Sequence, residues 1–312
     1  MKLEMLRNYM PIITLIGLIF LVGIVTPEFL TINTLLVLAS DTATLFVMAM
    51  GVTFLIMLGG IDLSIQSIAS FSSVVVALSL PYIGYFSFVV AVVLCFFVGI
   101  LSGTIHVKLN IPSFIATLAI GGIASGVALI ISNAQAITML KNEREYIKWI
   151  TGTILGIPNE VIIGIVILIL GIVLQKYTKF GRLSQAIGAG EPAAFASGIN
   201  VNYHKIVACG LSACFAGFAG VILSGRLTSG SPTLATGLLL PSIAAVIIGG
   251  TAITGGVGSV LRTLIGALII SVVRIGMTFM GIDIFAHQAV FGLVLILAVA
   301  LTIDRTKIPI IK

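Results

Sequence analysis

Long uncharged apolar stretches, separated by short polar segments, dominate the chain. Runs of about 20 or more residues without Asp, Glu, Lys or Arg lie at 8–27, 42–61, 63–107, 109–140, 206–225, 227–261 and 284–303. A transmembrane helix needs about 20 predominantly apolar residues, and three of these runs are long enough for two passes. Residues 161–174 are apolar on every face, whereas strands of a membrane barrel alternate in polarity. The pattern therefore predicts an all-α integral membrane protein.

Turn signals divide these runs into about ten spans. The predicted spans are roughly 9–26, 42–60, 63–80, 84–105, 113–132, 160–175, 206–225, 241–254, 260–280 and 284–303. Eight or nine spans is the alternative, because two of the runs are divided only by the weak signals Pro81, Gly84, Pro232 and Pro241. The first stretch is interpreted as a retained span, since it ends in a Thr-Pro-Glu sequence without a small-residue cleavage site.

The composition excludes several classes of function. Of 312 residues, 16 are Lys or Arg and 10 are Asp or Glu, so 8% are charged, against about 25% in an ordinary soluble domain. So few charges cannot supply the solvated shell of a soluble protein of this length. The composition therefore excludes a soluble enzyme, a disordered chain and a nucleic-acid binder. The protein is predicted to lie in a lipid membrane.

The basic residues fall mainly on one side when the N-terminus is placed in the cytoplasm. Eleven then lie inside, namely Lys2, Arg7, Lys108, Lys176, Lys179, Arg182, Lys205, Arg262, Arg305, Lys307 and Lys312. Four lie outside, namely Lys141, Arg144, Lys148 and Arg226, and Arg274 falls within a span. This imbalance follows the positive-inside tendency and places both termini in the cytoplasm.

Two polar segments interrupt the predicted spans. Residues 133–159 form an extracytoplasmic connector, read either as a partner-facing helix or as a solvated linker anchored by Trp149. Residues 176–205 form a cytoplasmic loop. Within it, Glu191 and Pro192 suit a helix start and Gly198 a helix stop, so a helix of one to two turns is expected. Phe195 of this helix has little core to enter, so the helix is either an ordinary connector or a knob that inserts into a cytoplasmic partner.

Several stretches resemble one family in register along the chain. Residues 188–194 (GAGEPAA) and 197–201 (SGINV) are similar to the ATPase-contacting loop of bacterial ABC importer permeases, and most of all those of ribose-type monosaccharide importers. Residues 59–64 (GGIDLS) resemble the most recognisable signature of that family, and 111–118 (IPSFIATL) the start of its fifth span. Residues 276–281 and 287–292 resemble its last two spans.

The resemblance implies a fold, partners and site residues. The fold is the ten-span type shared with cobalamin-type importers, as a single permease domain over 1–312 whose coupling loop is 176–205. The implied partners are a second permease chain (identical or different), a cytoplasmic ABC ATPase and an extracytoplasmic solute-binding protein, besides membrane lipid.

The resemblance also implies site residues. The residues assigned to docking of the ATPase are Gly188, Glu191, Ala193, Ala194, Phe195 and Gly198. The fifth span borders the pathway, with candidate lining residues Phe114, Thr117, Gly121, Gly122 and Asn133. Helix packing is the alternative for Gly122 and Gly126.

Two residues depart from the family pattern. Gln66 stands where Gly is usual, and Arg274 where Asn is common. An arginine at the centre of a membrane span costs about 2.5–3.5 kcal/mol on insertion scales, so Arg274 is a candidate pathway residue. The alternative is that it pairs with a carboxylate or a backbone carbonyl, or extends to the interface.

The signature residues Gly59, Gly60, Asp62 and Ser64 are assigned a structural or gating role. Asp62 directly precedes an apolar run, so its carboxylate can cap the third span, and a hinge role is compatible with that.

The glycine-rich stretch 249–259 has the glycine spacing of a phosphate loop but lacks its Lys-Ser/Thr pair. It is expected to form a tight re-entrant turn.

The sequence shows no chemistry of its own. It has no Walker motif, no Ser/His/Asp arrangement and no metal-ligand spacing among its cysteines, so no catalytic residue, metal or cofactor is predicted. By resemblance, the chain is a multi-pass inner-membrane subunit of an ABC importer for a small hydrophilic solute, most consistent with a monosaccharide. The alternatives are a permease for nucleosides, branched-chain amino acids or autoinducer-type sugars, or an ion-coupled secondary transporter.

Overall fold

A computed structural model describes residues 2–302, with side chains from 10 to 299. The predicted cytoplasmic charges of Lys2, Arg7, Arg305, Lys307 and Lys312 and the predicted cytoplasmic C-terminus lie outside these described parts. Within this range the helices are α1 (Lys2–Val25), α2 (Ile32–Met57), α3 (Ile65–Ile83), α4 (Phe86–Lys108), α5 (Ser113–Ile131), α6 (Lys148–Thr151), α7 (Asn159–Tyr177), α8 (Lys179–Ala189), α9 (Glu191–Ala196), α10 (Val201–Arg226), α11 (Leu239–Ile248), α12 (Val260–Phe279) and α13 (Ile284–Thr302). Two-residue strands are β1 (Ile137–Thr138), β2 (Thr153–Ile154), β3 (Ile157–Pro158) and β4 (Ser229–Gly230), and short 3₁₀ helices span Pro27–Leu30 and Glu143–Ile147.

Each of the ten predicted spans contains a helix, and two of the differences in boundary have a clear structural reason. α2 begins at Ile32, ten residues before the predicted start at 42, because Asp41, read as a boundary charge, is paired inside the bundle. α11 ends at Ile248 and not at 254, because Gly249 and Gly250 follow and Gly250 has a φ of +89°. Both differences arise from local features that an apolar run does not reveal.

Seven helices among the described residues are long and apolar enough to cross a membrane. They are α2, α3, α4, α5, α7, α10 and α12. Three further apolar stretches are shorter: Met10–Val25, Leu239–Ile248 and Ile284–Val299. The all-α membrane class is therefore confirmed.

α2 forms the centre of the bundle. Almost every residue from Leu38 to Met57 is buried, and the helix packs against α7, α10, α11 and α12. A helix that is apolar all round is the kind that other helices surround on every face, which explains why the pattern here shows no polar stripe.

Small residues allow α4 and α10 to approach closely. A Cβ at Gly99 would lie 2.4 Å from the Cys209 carbonyl oxygen, and one at Gly217 would lie 2.7 Å from the Cβ of Cys95. Packing between membrane helices depends on such close contact, since lipid supplies no hydrophobic driving force. Cys95 and Cys209 are buried there as packing residues.

Two extended segments run along helices inside the bundle. Residues 61–64 follow α5, where Leu63 N–H donates to the Thr117 hydroxyl at 3.0 Å and a Cβ at Gly121 would lie 3.1 Å from the Ser64 Cα. Gly121 is about 12 Å from the start of α5 at 1.5 Å per residue, so α3 begins deep in the bundle. Residues 230–237 follow α3 in the opposite direction, from Gly230 beside Ala77 down to Gly237 beside Gln66.

Residues 133–159 form a packed cap over one end of the bundle. β1 pairs with β4 and β2 with β3, both antiparallel. The Trp149 ring meets Phe88 of α4 edge to face with centroids 5.4 Å apart, and Tyr146 meets Tyr85 at 5.0 Å. Trp149 therefore anchors this segment to α4.

Candidate functional site

The helix predicted from Glu191 and Pro192 is confirmed as α9, and a second helix that the sequence pattern did not reveal precedes it. α8 has its buried residues Gly181, Ser184 and Ile187 at helical spacing, so it lies with one face on the bundle. α9 ends at Ala196 and is followed by Gly198, whose φ is +79°, and Ile199 N–H donates to the Ala194 carbonyl at 3.1 Å. This is the glycine stop expected after a short helix.

One face of α9 is held by the bundle and the other is open. Ala194 packs into a buried cluster with Leu58, Ile187 and Val201. The carboxylate of Glu191 pairs with the Lys205 ammonium at 2.7 Å and 2.9 Å, which ties α9 to α10. Phe195 points away and is 74% exposed, and Ala193 and Gly198 are exposed as well. A large exposed aromatic on a fixed helix is a typical anchor for a protein partner.

Glycines from two loops and from the end of α8 meet at a contact called the glycine junction: Gly59, Gly188, Gly255 and Gly256. Gly256 N–H donates to the Met57 carbonyl at 2.9 Å. A Cβ at Gly188 would lie 1.9 Å from that carbonyl oxygen, and one at Gly255 would lie 3.0 Å from the Gly188 Cα. The predicted turn at 249–259 is confirmed, with positive φ at Gly250, Gly255 and Gly256. The junction places α8 directly against the end of α2.

Gly188→Ala is expected to destabilise the protein by about 1–3 kcal/mol, because the new methyl group overpacks a contact with backbone on both sides. Gly190→Ala is the matched control: two residues away, its Cβ would meet only the Ala193 Cβ at 3.8 Å. Thermal unfolding in detergent should separate the two variants. Equal unfolding temperatures for both variants would contradict the packing of α8 on α2.

The signature residues 59–64 connect the glycine junction to the interior. Gly59 has a φ of +84°, and Ile61 N–H donates to the Ser113 hydroxyl at 3.0 Å. The Asp62 carboxylate accepts from the Ser64 backbone N–H at 2.8 Å, from the Ser64 hydroxyl at 2.5 Å and from the Ser212 hydroxyl of α10 at 2.7 Å. α3 begins only at Ile65, so Asp62 binds the residue before the helix and not the first-turn N–H groups expected of a cap.

A cavity of about 280 Å³ opens between this segment and α9. It is lined by Gly59, Gly60, Phe114, Glu191 and Lys205 among others. The signature loop, the start of α5 and the ion pair that holds α9 therefore border one space.

Arg274 lies in a charged cluster near the other end of the bundle. Its guanidinium pairs with Asp41 of α2, and Asp41 also pairs with Arg226 of α10 at 3.2 Å. Arg226 is 4.0 Å from the Glu160 carboxylate of α7. Two cations and two carboxylates from four helices thus balance their formal charges. This arrangement matches the pairing alternative for Arg274, and the pathway role stays a prediction.

The predicted pathway residues of α5 are spread along the whole helix. Phe114 lies at one end and is 46% exposed, whereas Thr117 is 1% exposed and binds Leu63. Gly122 has no atom within 4 Å of where a Cβ would stand, and Asn133 is exposed beyond the far end with a φ of +51°. α5 packs on α3 and α4, while α12, which carries Arg274, packs on α1, α2, α7, α11 and α13.

Sequence reasoning did not find the partners of the named charges. Asp41, Lys205 and Ser212 are the groups that hold Arg274, Glu191 and Asp62. One signal was available for Arg274, because a buried cation needs a carboxylate inside another span and Asp41 lies beside one. No such signal pointed to Ser212, since serines are common in membrane helices.

Comparison with known proteins gives matches over most of the chain. Residues 34–299 match the family described as the permease component of the branched-chain amino acid transport system. The ribose import permease protein RbsC of Escherichia coli K12 is 36% identical over 95% of this chain and 93% of its own length. The D-allose transport system permease protein AlsC of the same organism is 32% identical (89% and 86%), and the L-arabinose ABC transporter permease protein AraH of Azospirillum brasilense is also 32% identical (89% and 82%).

Proposed function

The chain belongs to the permease family of the branched-chain amino acid transport system, and from this premise we propose that it is the membrane subunit of an ABC importer for a monosaccharide. Similar proteins are described as permeases for ribose, D-allose and L-arabinose. The observation that carries the proposal is α9, a short helix fixed by Glu191 and Ala194 that presents Phe195 outward. Its exposed face suits docking of a separate ATPase.

The helices support a ten-span topology in the cell's inner membrane. The seven long helices and the three shorter apolar ones account for ten crossings if α11 and the turn at 249–259 together make one. β1 pairs with β4, so 133–159 and 227–230 lie at one end, and the glycine junction places 59, 188 and 255 at the other. We place the junction end, with coupling loop 176–205, in the cytoplasm, where Lys176, Lys179 and Arg182 follow the positive-inside tendency.

In this proposal the energy for transport comes from ATP hydrolysis by a separate ATPase, which acts on the permease through its contact with α9. An ATPase dimer binds α9 of each permease chain, whether the two chains are identical or different, and its closure on ATP moves α8 and α9. Because Gly188 contacts Met57 and Gly256 without intervening side chains, that motion reaches the end of α2 and the signature loop 59–64. The permease itself then performs no hydrolysis and needs no cofactor.

A pathway along the exposed face of α5 completes the proposal. A solute-binding protein delivers the sugar at the end covered by 133–159, and the signature residues 59–64 act as the moving element beside Phe114, Gly121 and Gly122. Gly121 keeps α5 against the Ser64 backbone, since a Cβ there would be 3.1 Å from the Ser64 Cα. Gly122 faces open space, as a pathway residue should.

Gly122→Phe is expected to lower uptake at least about tenfold, because the ring projects into the pathway while the fold has room for it. Gly17→Phe is the matched control, since Gly17 in α1 also has no atom within 4 Å of where a Cβ would stand. ATP-driven uptake in proteoliposomes and thermal unfolding are measured together. Normal uptake by Gly122→Phe would remove α5 from the pathway.

Copurification tests the subunit assignment. We expect genes for an ATPase and a solute-binding protein to lie beside the gene for the permease. When the three proteins are expressed together, the ATPase should copurify with the permease and be stimulated by the sugar-loaded binding protein. A permease that carries no ATPase and takes up sugar on an ion gradient alone would refute the proposal in favour of a secondary transporter.

A further inference from the structure

Three elements of the bundle meet at the backbone of Gly237. Its N–H donates to the Gln66 side-chain oxygen of α3 at 3.3 Å, and its carbonyl accepts from the Gln288 side-chain nitrogen of α13 at 3.2 Å. Gly237 has a φ of +91°, a conformation that favours glycine. The two glutamines therefore bind the same residue of the segment that leads into α11.

Each glutamine side chain forms one hydrogen bond among the described residues, whereas a side-chain amide can donate two and accept two. Among the described residues, Nε2 of Gln66 and Oε1 of Gln288 have no partner, and Gln66 is half-buried while Gln288 is exposed. The neighbouring hydroxyls of Ser67 and Thr236 likewise have no partner within residues 2–302 and are partly or fully exposed. The Ser67 hydroxyl would lie 3.6 Å from a Cβ at Gly121, so the group reaches α5.

This polar group does not suit a surface that faces lipid. Amide and hydroxyl groups without partners are unfavourable in hydrocarbon, and polar residues at membrane depth normally face the bundle interior or a water-filled cavity. Gln66 lies one residue into α3, which begins about 12 Å from the start of α5. The exposed side of the group is therefore expected to face an aqueous space within the assembled transporter.

We propose that Gln66 and Gln288, joined through Gly237, form the sugar-contacting site that sets the substrate preference of the permease, for a neutral polyhydroxylated solute. This inference rests on the proposed function and names the residues that contact its substrate. The free amide nitrogen of Gln66 donates to a sugar hydroxyl, and the free carbonyl oxygen of Gln288 accepts from one. A hydroxyl is both donor and acceptor, so adjacent hydroxyls of one sugar satisfy both amides.

The absence of charge from these four side chains selects against ionised solutes. Arg274, the cation that the sequence marked as a pathway candidate, is neutralised by Asp41. Asp62 is satisfied by three hydrogen bonds from Ser64 and Ser212. An amino acid or a phosphorylated sugar would find no partner for its charge beside Gln66 and Gln288, and burying an unpaired charge is costly.

The test uses the complete transporter in proteoliposomes, with radiolabelled D-ribose, D-allose and L-arabinose as probes. Gln66→Leu and Gln288→Leu are compared with the wild type, with Gln66→Asn as a conservative variant that keeps the amide, and with Gln135→Leu as the control. Gln135 is an exposed glutamine beyond α5 whose side chain forms no hydrogen bond among the described residues. Sugar uptake, ATP hydrolysis and thermal unfolding are measured on the same preparations.

Each Leu variant should transport at least fivefold less sugar per ATP hydrolysed, with ATP hydrolysis and unfolding temperature unchanged. Gln66→Asn should recover part of the loss, and Gln135→Leu should behave as wild type. Unchanged transport per ATP in both Leu variants would overturn the inference, as would a joint fall in hydrolysis and unfolding temperature, which indicates a structural role. If the wild type transports none of the three sugars on ATP, the proposed function fails and this inference with it.

Discussion

Replacing Phe195 with Ser is expected to reduce ATP-driven uptake to background while leaving the permease folded. Phe195 is 74% exposed and contributes little to the bundle, so its loss should hardly change the free energy of unfolding. Truncating an aromatic anchor at the centre of an interface costs about 2–4 kcal/mol of binding free energy, or about 30- to 1,000-fold in Kd. Binding of the ATPase to the detergent-solubilised permease measures this directly.

Tyr177→Ser is the matched control for Phe195→Ser. Tyr177 is a similarly exposed aromatic, at 76%, and ends α7 just before α8. It should retain ATPase binding and uptake, because it lies outside the docking helix. Equal loss in both variants would indicate a general effect of removing a surface aromatic, and full binding by Phe195→Ser would reject α9 as the docking site.

Asp41→Leu is expected to lower the free energy of unfolding by about 3–5 kcal/mol, because it leaves the partly buried Arg274 guanidinium without its carboxylate. Arg274→Leu should cost less, about 2–3 kcal/mol, since Arg226 still neutralises Asp41 at 3.2 Å and both side chains keep some solvent access. Equilibrium unfolding in mixed micelles gives both values.

The double variant separates the structural role of Arg274 from a pathway role. Asp41→Leu together with Arg274→Leu removes one charge of each sign and leaves Arg226 beside Glu160, so most of the lost stability should return. If Arg274 lines the pathway, the double variant recovers stability but changes sugar preference. If the double variant is no more stable than Asp41→Leu, the two residues do not act as a pair.

The helices could be predicted because lipid imposes a simple rule on sequence. A span must be apolar over about 20 residues, so charges mark boundaries and ten helix positions follow from the uncharged runs. The rule fails where a charge is paired inside the bundle, as Asp41 in α2 is. α8 was missed for a related reason: its buried positions are Gly181, Ser184 and Ile187, of which only one is a large apolar residue.

The candidate site was only partly accessible from sequence. The 188–198 pattern predicted a glycine-bracketed helix because helix starts and stops are local. The meeting of Gly59, Gly188 and Gly255, and that of Gln66 with Gln288, depend on residues far apart in the chain. Glycines leave no side chain to signal such contacts, and a glutamine with unused hydrogen-bonding groups looks in sequence like any polar residue near a span end.

The source of energy for transport distinguishes an ABC importer from an ion-coupled secondary transporter. The permease, its ATPase and its binding protein are reconstituted in proteoliposomes, and uptake of radiolabelled D-ribose, D-allose and L-arabinose is measured. ATP is supplied either on the side of the membrane that carries the ATPase or on the opposite side. Each measurement is repeated with the proton and sodium gradients collapsed. We expect uptake of at least one sugar to require ATP on the α9 side of the membrane and to persist without either gradient. Uptake that continues without ATP and stops when the gradients are collapsed would contradict this expectation.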